Sequence, residues 1–214
     1  MGKFILDKGE VFIEINPGIE VLFAGKPLAS RKIFGKELVE PTVLSYGSLS
    51  WFIIQRGNKF GIRLRDSENP AIRRFQGIES YPIDPRWKVE ARLEPYEPPK
   101  TVPIQNVLGM MTNERSPGVL AFDLDGRTYR LEALEEANEL FIIFSDETSG
   151  NETYGLGRYL YTRKPGSDGM TILDFNKAYS PPCAFTEFAT CPLPPAQNHL
   201  PIKITAGEKY HGTH

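Results

Sequence analysis

The sequence predicts an all-β protein: an N-terminal β-sandwich-like part packed on a C-terminal antiparallel meander or partly closed barrel. Three observations carry this. Apolar and polar residues alternate over many short runs, the period of a strand with one buried face. The chain carries 18 prolines and 19 glycines, scattered without a repeat, and these punctuate many short elements. No run keeps a helical period for more than a turn or two.

The elements follow in chain order. Val11, Ile13 and Ile15 form one face of a strand, and Asn16-Pro17-Gly18 places proline and glycine where a type II turn needs them. Val21 to Phe23 is a second short strand, and a polar stretch follows around Lys32 to Glu40. Leu49 to Ile54 is rich in β formers; Arg56-Gly57-Asn58-Lys59 then turns the chain into Phe60 to Leu64, a hairpin. Asn69-Pro70 reads as an N-cap with proline at the first helical position, opening a helix of a turn or two.

Tyr81-Pro82-Ile83-Asp84-Pro85 continues neither helix nor strand interior, and we place a domain boundary there, dividing the chain into 1–80 and 81–214. Beyond it, Val89, Ala91 and Leu93 alternate with charged residues. Asp125-Gly126 joins two alternating runs, a strong hairpin signal. Leu140 to Phe144 is a continuous apolar run suited to a strand buried on both faces, and a last strand is expected through Ile202 and Ile204.

Composition narrows the function classes. At 214 residues, 40% hydrophobic and 24% charged, the chain has the makings of a folded core. With 25 basic and 27 acidic residues intermixed, it lacks the electrostatic footprint of a general nucleic-acid binder. No apolar run approaches a membrane span, and the N-terminus has no apolar signal core, so no membrane partner and a cytoplasmic location are expected.

The polar chemistry concentrates between Asp146 and Glu208. Read as one strand, Glu152 to Leu160 places Glu152, Tyr154, Leu156 and Arg158 on one face and Gly155 and Gly157 on the other. The glycine pair implies a bulge, a bend, or close approach by another backbone or a ligand. Asp146, Glu147 and Glu152 flank an oxygen-rich loop without calcium-site spacing, and a solvated loop is the expected reading. Asp174 and Asn176 share a side of the next alternating run, so Asp174 and Glu208 are the expected partners for a buried Arg158.

Ser180 to Pro195 is proline-rich and must be an ordered loop or cover. Cys183 and Cys191, eight residues apart, either close a disulfide or stay as buried thiols. Only His199 is near enough in sequence to join them, with His211 and His214 at the C-terminus, so no metal site and no cofactor are expected. Arg56, Arg63, Arg65, Arg73 and Arg74 form a cationic passage that would hold an anion or lie solvated.

The strings ETYGLGRYL, ILDFNKAYSPPCAF and CPLPPAQNHLPIKITAGEK, with GIRLRDSENP and YPIDPRW, resemble the prokaryotic family called domain of unknown function 1684. The resemblance spans nearly the whole chain and implies a short form, since members often carry a further segment before the part seen here. It implies no activity. It draws attention to Glu152, Tyr154, Arg158, Asp174, Asn176, Cys183, Cys191, Asn198 and Glu208, which lie inside the matching strings, and assigns them no role. The first part also faintly resembles a forkhead-associated β-sandwich, but the motif that reads phosphothreonine has no counterpart here.

The functional expectation is a non-catalytic module that binds a small molecule or a protein, with Glu152, Tyr154, Arg158, Asp174, Asn176 and Glu208 as candidate ligand contacts. The alternative is a hydrolase-like enzyme in which one of those carboxylates works with Arg158 as anion stabiliser.

Overall fold

The computed structural model describes residues 1–212. The chain is almost entirely strand and turn, with one five-residue α-helix and a few single turns of 3-10 helix. It divides into two compact units, Met1–Phe75 and Gln76 onward.

In the first unit, β1 (Gly2–Asp7), β2 (Glu10–Ile15) and β5 (Ser30–Phe34) form one antiparallel sheet. A second has the order β4 (Lys26–Pro27), β3 (Leu22–Phe23), β6 (Leu44–Tyr46), β7 (Leu49–Arg56), β8 (Lys59–Asp66). Val11, Ile13 and Ile33 from the first sheet join Leu44, Trp51 and Ile53 from the second in one buried cluster, which makes the unit a sandwich. β5 runs into the stretch expected to be polar, because Ile33 turns into this core at 2% exposure.

The turns behave as their residues require. Asn16-Pro17-Gly18 is closed by the Ile19 N–H on the Asn16 carbonyl at 3.2 Å, with Gly18 at φ 80°. Gly57 takes φ 58° between β7 and β8. The helix α1 (Pro70–Arg74) starts at Asn69, whose side chain accepts the Ala71 N–H at 2.9 Å.

The second unit is an antiparallel meander curled into a nearly closed barrel. Its strands are β9 (Lys88–Gln105), β10 (Met111–Leu124), β11 (Arg127–Glu136), β12 (Glu139–Asp146), β13 (Arg158–Arg163) and β14 (Met170–Asp174), in the spatial order β13-β12-β11-β10-β9-β14. No backbone ladder joins β13 to β14. Two threonines close that seam: Thr162 Oγ1 donates to the Ile172 carbonyl at 2.7 Å, and Thr171 Oγ1 to the Arg163 carbonyl at 2.8 Å.

Leu120, Phe122, Leu131, Leu140, Ile142, Phe144, Leu160 and Leu173 fill the interior, following the two-residue period of their strands. On the outer face, Val102, Ile104, Leu134, Ile143, Tyr159 and Cys191 form a second cluster. The continuous run at Leu140 to Phe144 is thus explained: its strand serves both cores.

Two expected strands differ. Glu152 to Gly157 is turn, and the strand begins only at Arg158. Gly157 sits at φ 93°, and a Cβ there would lie 2.5 Å from the Phe144 carbonyl oxygen and 2.6 Å from Pro194. Its hydrogen is therefore required by the close approach of a neighbouring backbone. The last strand is His199–Leu200 (β15), parallel to β12, and it stops before Ile202. Pro201 has no N–H to continue a ladder, and the Ile204 and Ala206 carbonyls beyond it turn to a side chain instead.

Candidate functional site

Arg158 opens β13 and Asp146 ends β12, both on rows that point into the barrel. They meet at 2.7 Å with no exposed side-chain surface on either. The guanidinium also donates to the carbonyls of Ala206 and, at 2.9 Å, Ile204, and lies 5.3 Å from the Phe144 ring centre. Asp146 in turn accepts from the Thr148 N–H at 2.7 Å and hydroxyl at 2.6 Å. A carboxylate from outside its own strand was expected for Arg158, and the partner is Asp146. Asp174 takes no part, and Glu208 offers only its backbone carbonyl at 3.5 Å. The loop after Asp146, expected to be solvated, buries Thr148 and Thr153 against this pair.

The remaining sequence candidates lie around this brace or away from it. Glu152 accepts from the Tyr81 hydroxyl at 2.8 Å and Lys203 Nζ at 3.2 Å, and these two donors hold its carboxyl below the usual range. The Tyr154 hydroxyl donates to the Cys183 carbonyl at 3.2 Å, and its ring meets Tyr210 edge-on. Glu208 accepts the Ser180 N–H at 2.7 Å. Asp174 and Asn176 sit elsewhere: the Asn176 amide exchanges hydrogen bonds with the Asp84 backbone at 3.0 and 2.9 Å and donates to Asp174 at 3.0 Å. The six candidates therefore do not converge on one opening.

Cys183 and Cys191 are both free thiols. The Cys183 N–H points at Cys191 Sγ at 3.0 Å, and burial, aided by the neighbouring thiol, pushes the Cys183 thiol up to about 12. Among the described residues no three His, Cys, Asp or Glu side chains converge as a metal site, and no helix is long and apolar enough to cross a membrane. His214 lies outside the described residues.

An opening does exist on the outer face of the barrel, where sequence reasoning placed nothing. Between β9 and β10 the register jumps from Ser116–Lys100 to Gly118–Pro95. Tyr96 to Pro99 thus lie opposite Pro117 alone, an irregularity forced by prolines that cannot donate to the ladder. The displaced chain leaves a cleft of about 490 Å³ lined by Tyr96, Lys100, Val102, Arg130, Glu132 and Gln197 among others.

Glu132 is the floor of this cleft, 4% exposed. Its carboxylate accepts from the Ser116 hydroxyl in a short bond, from the Tyr96 hydroxyl at 3.1 Å and from Gln197 Nε2 at 3.4 Å. Burial and this carboxylate raise the Tyr96 hydroxyl above its ordinary value. Arg130 lines the cleft but is held by both oxygens of Glu94, at 2.8 and 2.9 Å. Lys100 lies 3.7 Å over the Tyr96 ring.

Asn198 fixes the Glu132 backbone. Its amide oxygen accepts the Glu132 N–H at 2.6 Å, and its nitrogen donates to the carbonyls of Glu132 at 3.0 Å and Ile143 at 2.8 Å. β11 and β12 pair only from Leu134 to Glu136, so this one side chain replaces the ladder where the strands part. Asn198 lies in a string singled out by the family resemblance. For Glu132 the sole sequence signal is an acidic residue between Leu131 and Ala133, whose side chains belong to the core.

A solved structure with the same core architecture is the solution NMR structure of an uncharacterized protein from Haloarcula marismortui. It is 34% identical to this chain with a TM-score of 0.54, over 64% of this chain and 78% of that one. No curated protein matches. With residues 73–209 matching the family's model, the chain belongs to the family described as Protein of unknown function (DUF1684).

Proposed function

We propose that this protein is a non-catalytic ligand-binding module whose site is the cleft over Glu132, and that its ligand is a small dipolar molecule of amino-acid size. The observation that carries this reading is a buried carboxylate satisfied by three neutral donors, while Arg130 is engaged with Glu94. A buried charge without an ionic partner is costly, and an ammonium group entering the cleft would supply one. Tyr96 touches both Glu132 and Lys100, so an anionic end a few ångströms from that ammonium would meet the lysine. The cleft volume suits such a ligand.

The hydrolytic alternative needs Arg158 open to a substrate anion, and its guanidinium has no exposed surface and a carboxylate already in place. Ser116, beside Glu132, is fully buried and so is poorly placed as a nucleophile. Thermal shift of the intact chain against free amino acids, simple amines, simple carboxylates and neutral sugars tests the binding reading. Zwitterions are expected to raise the melting temperature most, since a ligand at about 100 times its Kd adds roughly 2.7 kcal/mol of stability. Glu132→Gln should abolish the shift. A panel in which zwitterions do nothing, or act equally on Glu132→Gln, rejects it.

A further inference from the structure

The first unit carries a second surface that the cleft does not use. β8 is the outer strand of its sheet, and beyond it no strand pairs. It runs eight residues in unbroken register against β7, from Asp66 opposite Leu49 to Lys59 opposite Arg56. Natural edge strands are usually kept short, bulged or covered, because a row of free N–H and C=O groups recruits another strand. This edge is neither short nor bulged.

Its hydrogen-bonding side follows from the turn. Arg56 and Lys59 flank the two-residue loop and form the bonded pair that closes such a hairpin. Bonded pairs recur at every second residue, so Gly61, Arg63 and Arg65 face β7, and the N–H and C=O of Ile62 and Leu64 point outward. Among the described residues, no backbone bond from a turn, loop or other strand reaches Ile62 or Leu64.

The side chains along the edge specify what would fit. Ile62 and Leu64 are 50% and 56% exposed, yet lie on the same sheet face as the buried Trp51 and Ile53 opposite them. They continue the core face out to the last strand of the sheet, where among the described residues no further strand pairs. On the other face stand Arg63 and Arg65, with Phe52 and Ser50 opposite. The ion pairs of this unit join Lys3 to Glu14 and Lys32 to Glu10 and Glu37, leaving Arg63 and Arg65 without an acidic partner among the described residues. Arg65 lies 5.5 Å from the Phe52 ring centre.

We propose that the free edge of β8 receives an extended peptide strand in which acidic residues alternate with apolar ones. Backbone pairing to Ile62 and Leu64 supplies the attachment, as in other strand additions. The peptide's acidic side chains meet Arg63 and Arg65, and its apolar side chains cover Ile62 and Leu64, because successive residues of a strand face opposite sides. A second copy of this chain fits poorly. Antiparallel self-pairing about the middle of β8 sets Arg63 directly opposite Arg63, a like-charge pair that weakens the contact.

The test uses the intact chain and two labelled octapeptides, one alternating glutamate with valine and one alternating lysine with valine, read by fluorescence anisotropy at low and high salt. The glutamate peptide should bind, more weakly at high salt, and the lysine peptide should not. Leu64→Pro removes an outward N–H while sparing the ladder to β7, and should weaken binding by about tenfold or more, the loss of one or two good contacts. The double variant Arg63→Glu with Arg65→Glu should transfer the preference to the lysine peptide, which no simple loss of folding would produce. Failure of the glutamate peptide to bind, equal binding of both peptides, or self-association of the chain through this edge overturns the proposal.

Discussion

At the scale of single residues, the second unit depends on two buried polar side chains that replace missing backbone partners. Arg158 ties β13 to Asp146 and to the carbonyls of the C-terminal segment. Removing one member of a buried pair leaves the other charge stranded, so Arg158→Ala is expected to cost about 3–5 kcal/mol in urea denaturation. A loss under about 1 kcal/mol, the level of an exposed pair, would show that water reaches the site. Asn198 makes three bonds to backbone groups of two strands. Asn198→Ala should cost about 1–3 kcal/mol for each group left unpaired. Asn198→Asp should not restore stability, because an ionised carboxylate cannot donate to two carbonyls.

At the scale of elements, the two glycines before β13 separate cleanly. Gly155 has ordinary contacts at 3.5 Å and beyond, whereas Gly157 combines φ 93° with the Phe144 carbonyl at its back. Gly157→Ala should therefore destabilise by about 1–3 kcal/mol from backbone conformation alone, with the steric clash added, and Gly155→Ala should stay within about 0.5 kcal/mol. Thermal melts of the two variants make the comparison. The barrel seam offers a second check. Thr162 and Thr171 bond to each other at 3.0 Å and to the opposite strands' carbonyls; replacing both with valine preserves shape but leaves those carbonyls unpaired. Hydrogen exchange should then quicken along β13 and β14 before it changes in β10 and β11, because local opening begins where hydrogen bonds are fewest.

At the scale of the whole molecule, the second unit is rich in phenols that are buried, as Tyr159 is, or half-buried, as Tyr81, Tyr154, Tyr161 and Tyr179 are. Burial raises the hydroxyls of Tyr159, Tyr161, Tyr154, Tyr81 and Tyr179 above their ordinary value. A group whose folded value is raised gives stability that is complete below its unfolded value and is lost as pH rises toward the folded one. The unfolded value is about 10, so the melting temperature should hold through neutral pH and fall steeply above about pH 10. The slope reaches about 1.4 kcal/mol per pH unit for each tyrosine that ionises only when unfolded. A flat profile to pH 11 would show that these hydroxyls are solvated. Each unit has hydrophobic clusters drawn entirely from its own residues, and the family match falls almost wholly on the second. We therefore expect the chain from Gln76 onward, expressed alone, to unfold in one cooperative transition, as followed by near-ultraviolet circular dichroism.

The sequence by itself determined what depends on neighbours along the chain. Alternation identified the strands at Val11, Val89 and Leu120, and a continuous apolar run the one at Leu140; Asn16-Pro17-Gly18, Gly57 and Asp125-Gly126 identified the turns; Asn69 identified the start of the helix. Each rests on local geometry, a side-chain period of two or a backbone angle that few residues tolerate. Only the tertiary structure decided which polar groups meet. Asp146 rather than Asp174 faces Arg158 because β12 and β13 are hydrogen-bonded neighbours, whereas β14 reaches β13 only across the seam. Glu132 became a candidate because a proline-disrupted register opened a cleft above it, and the joining partners, Ser116 and Gln197, lie 16 and 65 residues away. Such meetings are set by strand order and barrel closure, and no local period in the chain encodes them.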